Sequence, residues 1–112
     1  ELMDAVTAVS GSGPAYVFYF IEALHQSARE LGFDDAQARQ LALETFLGAS
    51  KLASQSEEDA AILRARVTSK AGTTERAVAA MEAASVKAHI VQAVKAAAQR
   101  ATEMGDEFGK AG

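Results

Sequence analysis

No cysteine and no tryptophan occur among the 112 residues, and there is a single proline. Without cysteine the chain forms no disulfide and offers no thiolate as nucleophile or metal ligand, which fits a reducing compartment. Apolar residues make up 49% of the chain, yet no run of them is long and charge-free enough to span a bilayer. No basic segment followed by an apolar core opens the chain, so no signal peptide is visible. The 11 basic residues are scattered and outnumbered by 15 acidic ones. With that balance and no basic stripe, a nucleic-acid partner is not expected. The expectation is a soluble, cytoplasmic domain with neither membrane nor nucleic acid as partner.

What is present is alanine in abundance, with few β-branched runs and little glycine inside the periodic segments. That combination favours helix nearly everywhere. The length suffices for one domain with its own core, residues 1–112. A start at Glu1 rather than Met reads as a piece of something longer. Glu1 to Ser10 reads as the tail of a linker or of an earlier helix, and Gly11-Ser12-Gly13-Pro14 as a helix entry turn, with Pro14 suited to a first helical position. A first long helix is expected over Pro14 to Leu31, with Val17, Phe20, Ile21, Leu24, Ala28 and Leu31 on its apolar stripe and Gly32 ending it. Tyr16, Phe18 and Tyr19 extend the apolar surface around most of that helix. A helix apolar on nearly all sides is covered on nearly all sides, which in so short a chain calls for a partner subunit.

Asp34 is a good N-cap for a second helix over Asp35 to Ser54, with Ala38, Leu41, Ala42, Phe46, Ala49 and Leu52 at core spacing. Ser56 and Asp59 resemble a capping box for a short helix ending near Arg64. A fourth helix runs over Thr73 to Ala83. Ser85 caps a fifth that reaches about Glu107, with Phe108 to Gly112 expected to fray. The fold class is all-α: an interleaved bundle of about five helices that dimerises through the long ones.

The chemistry-bearing stretch is Val67-Thr68-Ser69-Lys70-Ala71-Gly72-Thr73-Thr74, a hydroxyl-rich loop entering a helix. A helix start leaves unpaired N–H groups and the positive end of the macrodipole, which together suit a carboxylate or phosphate. Gly72 permits close approach to the main chain, and Thr73 and Thr74 add hydroxyls. A plain helix cap at Thr73 accounts for the same residues. His25 and His89 lack companions at metal-ligand spacing, so no metal is expected. Ser10-Gly11-Ser12-Gly13 has neither the lysine of a phosphate-binding loop nor the pattern of a nucleophile elbow. The acidic cluster Glu57, Glu58 and Asp59 is accounted for by the helix dipole.

Two segments in register add a family resemblance. Asp4-Ala5-Val6-Thr7-Ala8-Val9-Ser10-Gly11-Ser12-Gly13-Pro14-Ala15-Tyr16 resembles the opening of the C-terminal domain of pyrroline-5-carboxylate reductases. Leu63 to Thr74 is similar to that family's signature loop, and Leu31-Gly32 and Leu47-Gly48-Ala49 fall in order between them. The resemblance covers almost the whole chain. It departs from the usual Ser-Pro-Gly-Gly of the loop, because Lys70 and Ala71 follow Ser69. Ala71 lacks the glycine's freedom to take a positive φ.

The resemblance implies a C-terminal dimerisation and substrate-binding domain. The enzyme it belongs to reduces 1-pyrroline-5-carboxylate to L-proline with NADPH or NADH, the last step of proline synthesis. It implies substrate contacts at Ser69, Gly72, Thr73, Thr74 and Glu57, with the Thr74 hydroxyl as the catalytic group near the ring nitrogen. Arg66 stands where the family often has an asparagine touching the cofactor. The cofactor itself is expected mainly on an N-terminal Rossmann domain that this chain lacks, so the fragment alone is expected to be inactive. The implied partner is a second copy, in a homodimer or a larger homo-oligomer. Two other readings stay open at this stage: a non-catalytic helical association module, and the helical domain of another Rossmann-linked imino- or keto-acid reductase.

Overall fold

The computed structural model describes residues 2–111, with side chains described over 2–107. Among them there is helix and turn but no strand. The order is α1 (Leu2–Val6), a π-helical turn (Thr7–Gly11), α2 (Gly13–Glu30), α3 (Asp35–Ser54), α4 (Ala60–Arg66), α5 (Thr73–Ala83) and α6 (Val86–Ala111). The five helices expected after residue 13 are all found. The opening segment resolves as helix rather than linker. Its π turn closes with the Ser12 N–H donating to the Thr7 carbonyl at 2.9 Å, the five-residue spacing of that helix type.

Local chemistry accounts for most of the boundaries. α2 ends in a Schellman motif: Gly32 has a φ of 112°, its N–H reaches the Arg29 carbonyl, and the Phe33 N–H reaches that of Ala28, each at 3.1 Å. α3 opens with a full capping box. The Asp34 carboxylate accepts the Gln37 N–H at 2.8 Å, and the Gln37 side chain accepts the Asp34 N–H at 3.2 Å.

Two expected caps are corrected. Ser56 and Asp59 form no capping box: the Ser56 hydroxyl accepts the Glu58 N–H at 3.1 Å, a local turn that delays α4 to Ala60. Ser85 precedes α6 with a φ of 56°, not in the extended conformation from which a serine side chain caps a helix. The expected fraying after Glu107 is also not the outcome for the backbone, which stays helical to Ala111. Gly112 lies outside the described residues.

The chain divides into two compact units. The first joins Glu1–Tyr16 with Ala77–Gly112. In it α1 and the π turn pack on α6, with Ala8 buried between them. The Tyr16 hydroxyl donates to the Ala8 carbonyl at 2.7 Å, and the Thr102 hydroxyl to the Asp4 carboxylate at 2.9 Å. The second unit is Val17–Arg76. Here Ala38 and Ala42 are buried, and the Phe20 and Phe46 rings meet edge-on with centroids 5.6 Å apart.

The expected apolar stripes are only partly covered. Ala38, Ala42, Ile21, Leu24, Ala28 and Phe46 are buried or half-buried. Leu31 is 82% exposed and Leu52 54% exposed, so neither belongs to a core within this chain. No residue of α2 is buried, and Phe18 and Tyr19 stand 64% and 78% exposed.

The cap at α3 gives a direct test. Asp34→Ala removes the acceptor for the Gln37 N–H and half of the capping box, and lowers unfolding free energy by about 1 kcal/mol. Asp34→Asn, which keeps an acceptor, retains most of it. Denaturant unfolding of both variants checks this.

Candidate functional site

The loop between α4 and α5 hangs from the end of one helix and is pinned to the start of the next. On the α4 side the Thr68 hydroxyl donates to the Arg64 carbonyl at 2.6 Å, and the Thr68 N–H to that of Ala65 at 3.1 Å. These bonds occupy carbonyls that a helix C-terminus leaves without intrahelical donors. On the α5 side the Arg76 N–H donates to the Gly72 carbonyl at 3.2 Å. The amides of Thr73, Thr74 and Glu75 are therefore first-turn donors without an intrahelical acceptor, at the positive end of the helix dipole.

Between the anchors the chain turns sharply. The Gly72 N–H donates to the Ser69 carbonyl at 3.1 Å. A Cβ on Gly72 would lie 3.3 Å from both the Ser69 carbonyl oxygen and its Cβ, a tight contact that Ser69 must shift by a few tenths of an ångström to accommodate. Gly72 therefore serves the loop's shape, while its own amide is committed to Ser69. Ala71 takes a φ of 59°, the left-handed conformation that the lack of a glycine at that position made costly. The Ala71 N–H donates to the Glu75 carboxylate at 2.9 Å.

A shallow cavity of about 360 Å³ is walled by Ala71, Gly72, Thr73 and Arg76. Free amides at a helix start, a glycine allowing close approach and a guanidinium at the wall are features that suit a small anion. Of the expected substrate-binding residues, Gly72 and Thr73 are walls of this cavity, whereas Ser69 is not a wall and meets it only through its carbonyl's bond from the Gly72 N–H. Thr74 follows on the exposed first turn of α5 and is not one of the walls.

Glu57 is exposed on the turn between α3 and α4 and does not line the cavity. Arg66, at the end of α4, donates to the Glu58 carboxylate at 2.6 Å. Its charge is thus already met, and no strand among the described residues could carry a dinucleotide-binding turn. Among the described residues no group of three or more His, Asp or Glu could hold a metal ion, and no helix is long and apolar enough to cross a membrane.

Sequence reasoning missed Arg76 as a wall of the cavity and Glu75 as the partner of the Ala71 amide. The signal for Glu75 was its place as an acid in the first turn, where side chains reach back to the preceding backbone.

The chain as a whole is similar to proteins of one known family. A family model for pyrroline-5-carboxylate reductase dimerisation matches residues 1–104. The chain is 45% identical over 108 residues to the pyrroline-5-carboxylate reductase of Pseudomonas aeruginosa, covering 96% of this chain and 40% of that protein. It is 47% identical over 105 residues to the enzyme of Synechocystis sp., covering 94% and 39% respectively. Among solved structures, the Plasmodium falciparum pyrroline carboxylate reductase with NADP bound superposes with a TM-score of 0.88 at 33% identity, over 92% of this chain and 42% of that one. The Coxiella burnetii enzyme gives a TM-score of 0.85 at 40% identity, over 89% and 37%. The chain thus spans about two fifths of the length of the curated relatives it matches.

The loop's geometry predicts opposite effects at two adjacent positions. Ala71→Gly relieves the left-handed alanine and stabilises the fold by about 0.5–1 kcal/mol. Gly72→Ala forces a Cβ against Ser69 and destabilises it by about 1–3 kcal/mol. Denaturant unfolding of the two variants side by side reads both signs.

Proposed function

The chain belongs to the pyrroline-5-carboxylate reductase family as its dimerisation domain, and from that premise we propose that the protein carrying it reduces 1-pyrroline-5-carboxylate to L-proline with NADPH or NADH. The observation that carries this reading is the family match over nearly the whole chain, together with a helix-start loop whose free amides suit a small carboxylate. In this reading the chain supplies the substrate loop and the subunit contact. NAD(P)H, held by a part of the protein beyond this chain, supplies the hydride. Support for that cofactor comes from the NADP bound to the Plasmodium falciparum relative.

The substrate is a small carboxylate with a C=N bond, so two tasks fall to the loop. The Thr73 and Thr74 amides, at the positive end of α5, hold the carboxylate. Ser69 and Gly72 keep the turn in the shape that leaves those amides free. Once the carboxylate is seated, the Thr74 hydroxyl is within reach of the ring nitrogen and hydrogen-bonds to it as the amine forms. Glu57 acts from a distance, its negative charge favouring the protonated iminium over the neutral imine. Arg66, paired with Glu58, keeps at most a minor part in cofactor contact. No covalent nucleophile is needed, since orientation of the reacting groups supplies most of the acceleration.

The partner in this reading is a second copy of the chain, in a homodimer that interleaves its long helices and can build larger homo-oligomers. Its support is the apolar surface that one chain leaves open on α2, where Val17, Phe18, Tyr19 and Phe20 are all exposed.

Two measurements test the reading. In the whole enzyme, Thr74→Ala lowers kcat/KM for 1-pyrroline-5-carboxylate by the equivalent of about 1–3 kcal/mol, the cost of one lost polar contact at a reacting atom. An unchanged kcat/KM removes Thr74 from the mechanism. Light scattering across a dilution series finds a dimer or larger species for the chain, and Phe18→Glu shifts it towards monomer. A folded monomer at all concentrations refutes the pairing through α2.

A further inference from the structure

We propose that Glu75 is a positioning residue for the substrate loop, acting through the backbone of Ala71; the inference rests on the function proposed above. Three observations carry it. Ala71 sits at a φ of 59°, a conformation that an alanine does not hold by its own preference. Its amide is held by the Glu75 carboxylate at 2.9 Å, a hydrogen bond strengthened by the acceptor's charge. The turn's two ends are anchored by other means: Thr68 is bonded to the end of α4, and Gly72 to Ser69 and Arg76. Glu75 thus secures the one strained peptide of the turn, and it does so from the same helical turn that carries the Thr73 and Thr74 amides. Release of Ala71 lets the turn relax towards φ values that alanine prefers. The first amides of α5 then lose the orientation in which they meet a carboxylate.

The role predicts a particular kinetic pattern. Substrate affinity depends on the turn being preset, whereas the reacting atoms are touched by other groups. In the whole enzyme, Glu75→Ala raises KM for 1-pyrroline-5-carboxylate about 3- to 10-fold and leaves kcat within about twofold, the split expected when ground-state binding is lost. Glu75→Gln, whose side-chain carbonyl still accepts the Ala71 N–H, stays near the parent KM. With Ala71→Gly in the background, Glu75→Ala changes KM by less than about twofold, because glycine holds the left-handed conformation unaided.

A second readout is independent of the substrate. Hydrogen exchange of the Ala71 amide, followed by NMR in the assembled protein, speeds up about 10-fold or more in Glu75→Ala and much less in Glu75→Gln. The proposal is overturned if the Ala71 amide exchanges equally in all three proteins. It is also overturned if Glu75→Ala lowers KM, which would make the carboxylate a competitor for the substrate's site, or if its effect is the same with glycine at 71. A parent enzyme that exchanges Ala71 as predicted but does not reduce 1-pyrroline-5-carboxylate refutes the function proposed above and leaves the hold of Glu75 on the turn intact.

Discussion

Among the described residues only alanines are buried, at Ala8, Ala38 and Ala42, and that shortage of interior governs the rest. Isolated helices are marginal in water, and most helical stability comes from packing an apolar face. The large side chains that could supply it are present but uncovered, from Leu2 and Met3 on α1 to Phe18 and Tyr19 on α2 and Leu47 and Leu52 on α3. The proposed homodimer supplies that cover, and the small residues on α3 let helix axes come close enough for side chains to interdigitate.

The loop before α5 answers to a different kind of constraint. Every bond that shapes it spans five residues or fewer: Thr68 to Arg64, Gly72 to Ser69, Arg76 to Gly72 and Ala71 to Glu75. Local bonds of this kind form without long-range closure cost. The turn can therefore keep its shape while helices around it are assembled with a partner. Fold stability and site geometry are thus separated: one depends on distant apolar contacts, the other on a few neighbouring polar ones.

The same division explains what was legible in the sequence. α3 runs over the expected residues because Asp34 and Gln37 write its start in side-chain chemistry, and Gly32 ends the preceding helix through a φ that favours glycine. α5 was legible too, since Gly72 breaks the chain just ahead of it. The helical nature of residues 2–11 was left open because a π turn carries no composition signal of its own. Its carbonyl at Ala8 is matched by Tyr16, eight residues further on. Ser56 and Asp59 had cap spacing, but the Ser56 hydroxyl took the nearer Glu58 amide instead. Periodicity marks apolar stripes but not how far one chain covers them: Val17, Phe20 and Leu41 are also exposed. Leu31 and Leu52 have helical spacing and remain exposed.

The candidate site was half legible for a related reason. Hydroxyls and a glycine before a helix mark an anion-suited turn, but the conformation of Ala71 is set by a carboxylate that sequence spacing alone would assign to a routine first-turn acid. That arrangement has an electrostatic consequence. Glu75 brings a negative charge next to amides proposed to bind a carboxylate, which by itself opposes binding. Arg76 at the cavity wall and Lys70 in the same loop each carry a positive charge, so the turn as a whole stays cationic despite its internal acid. A loop with an alanine at its left-handed position thus needs both an acid to hold the backbone and nearby cations to offset that acid. The loop residues Lys70, Glu75 and Arg76 are best understood as one set, in which each charge makes the next one tolerable.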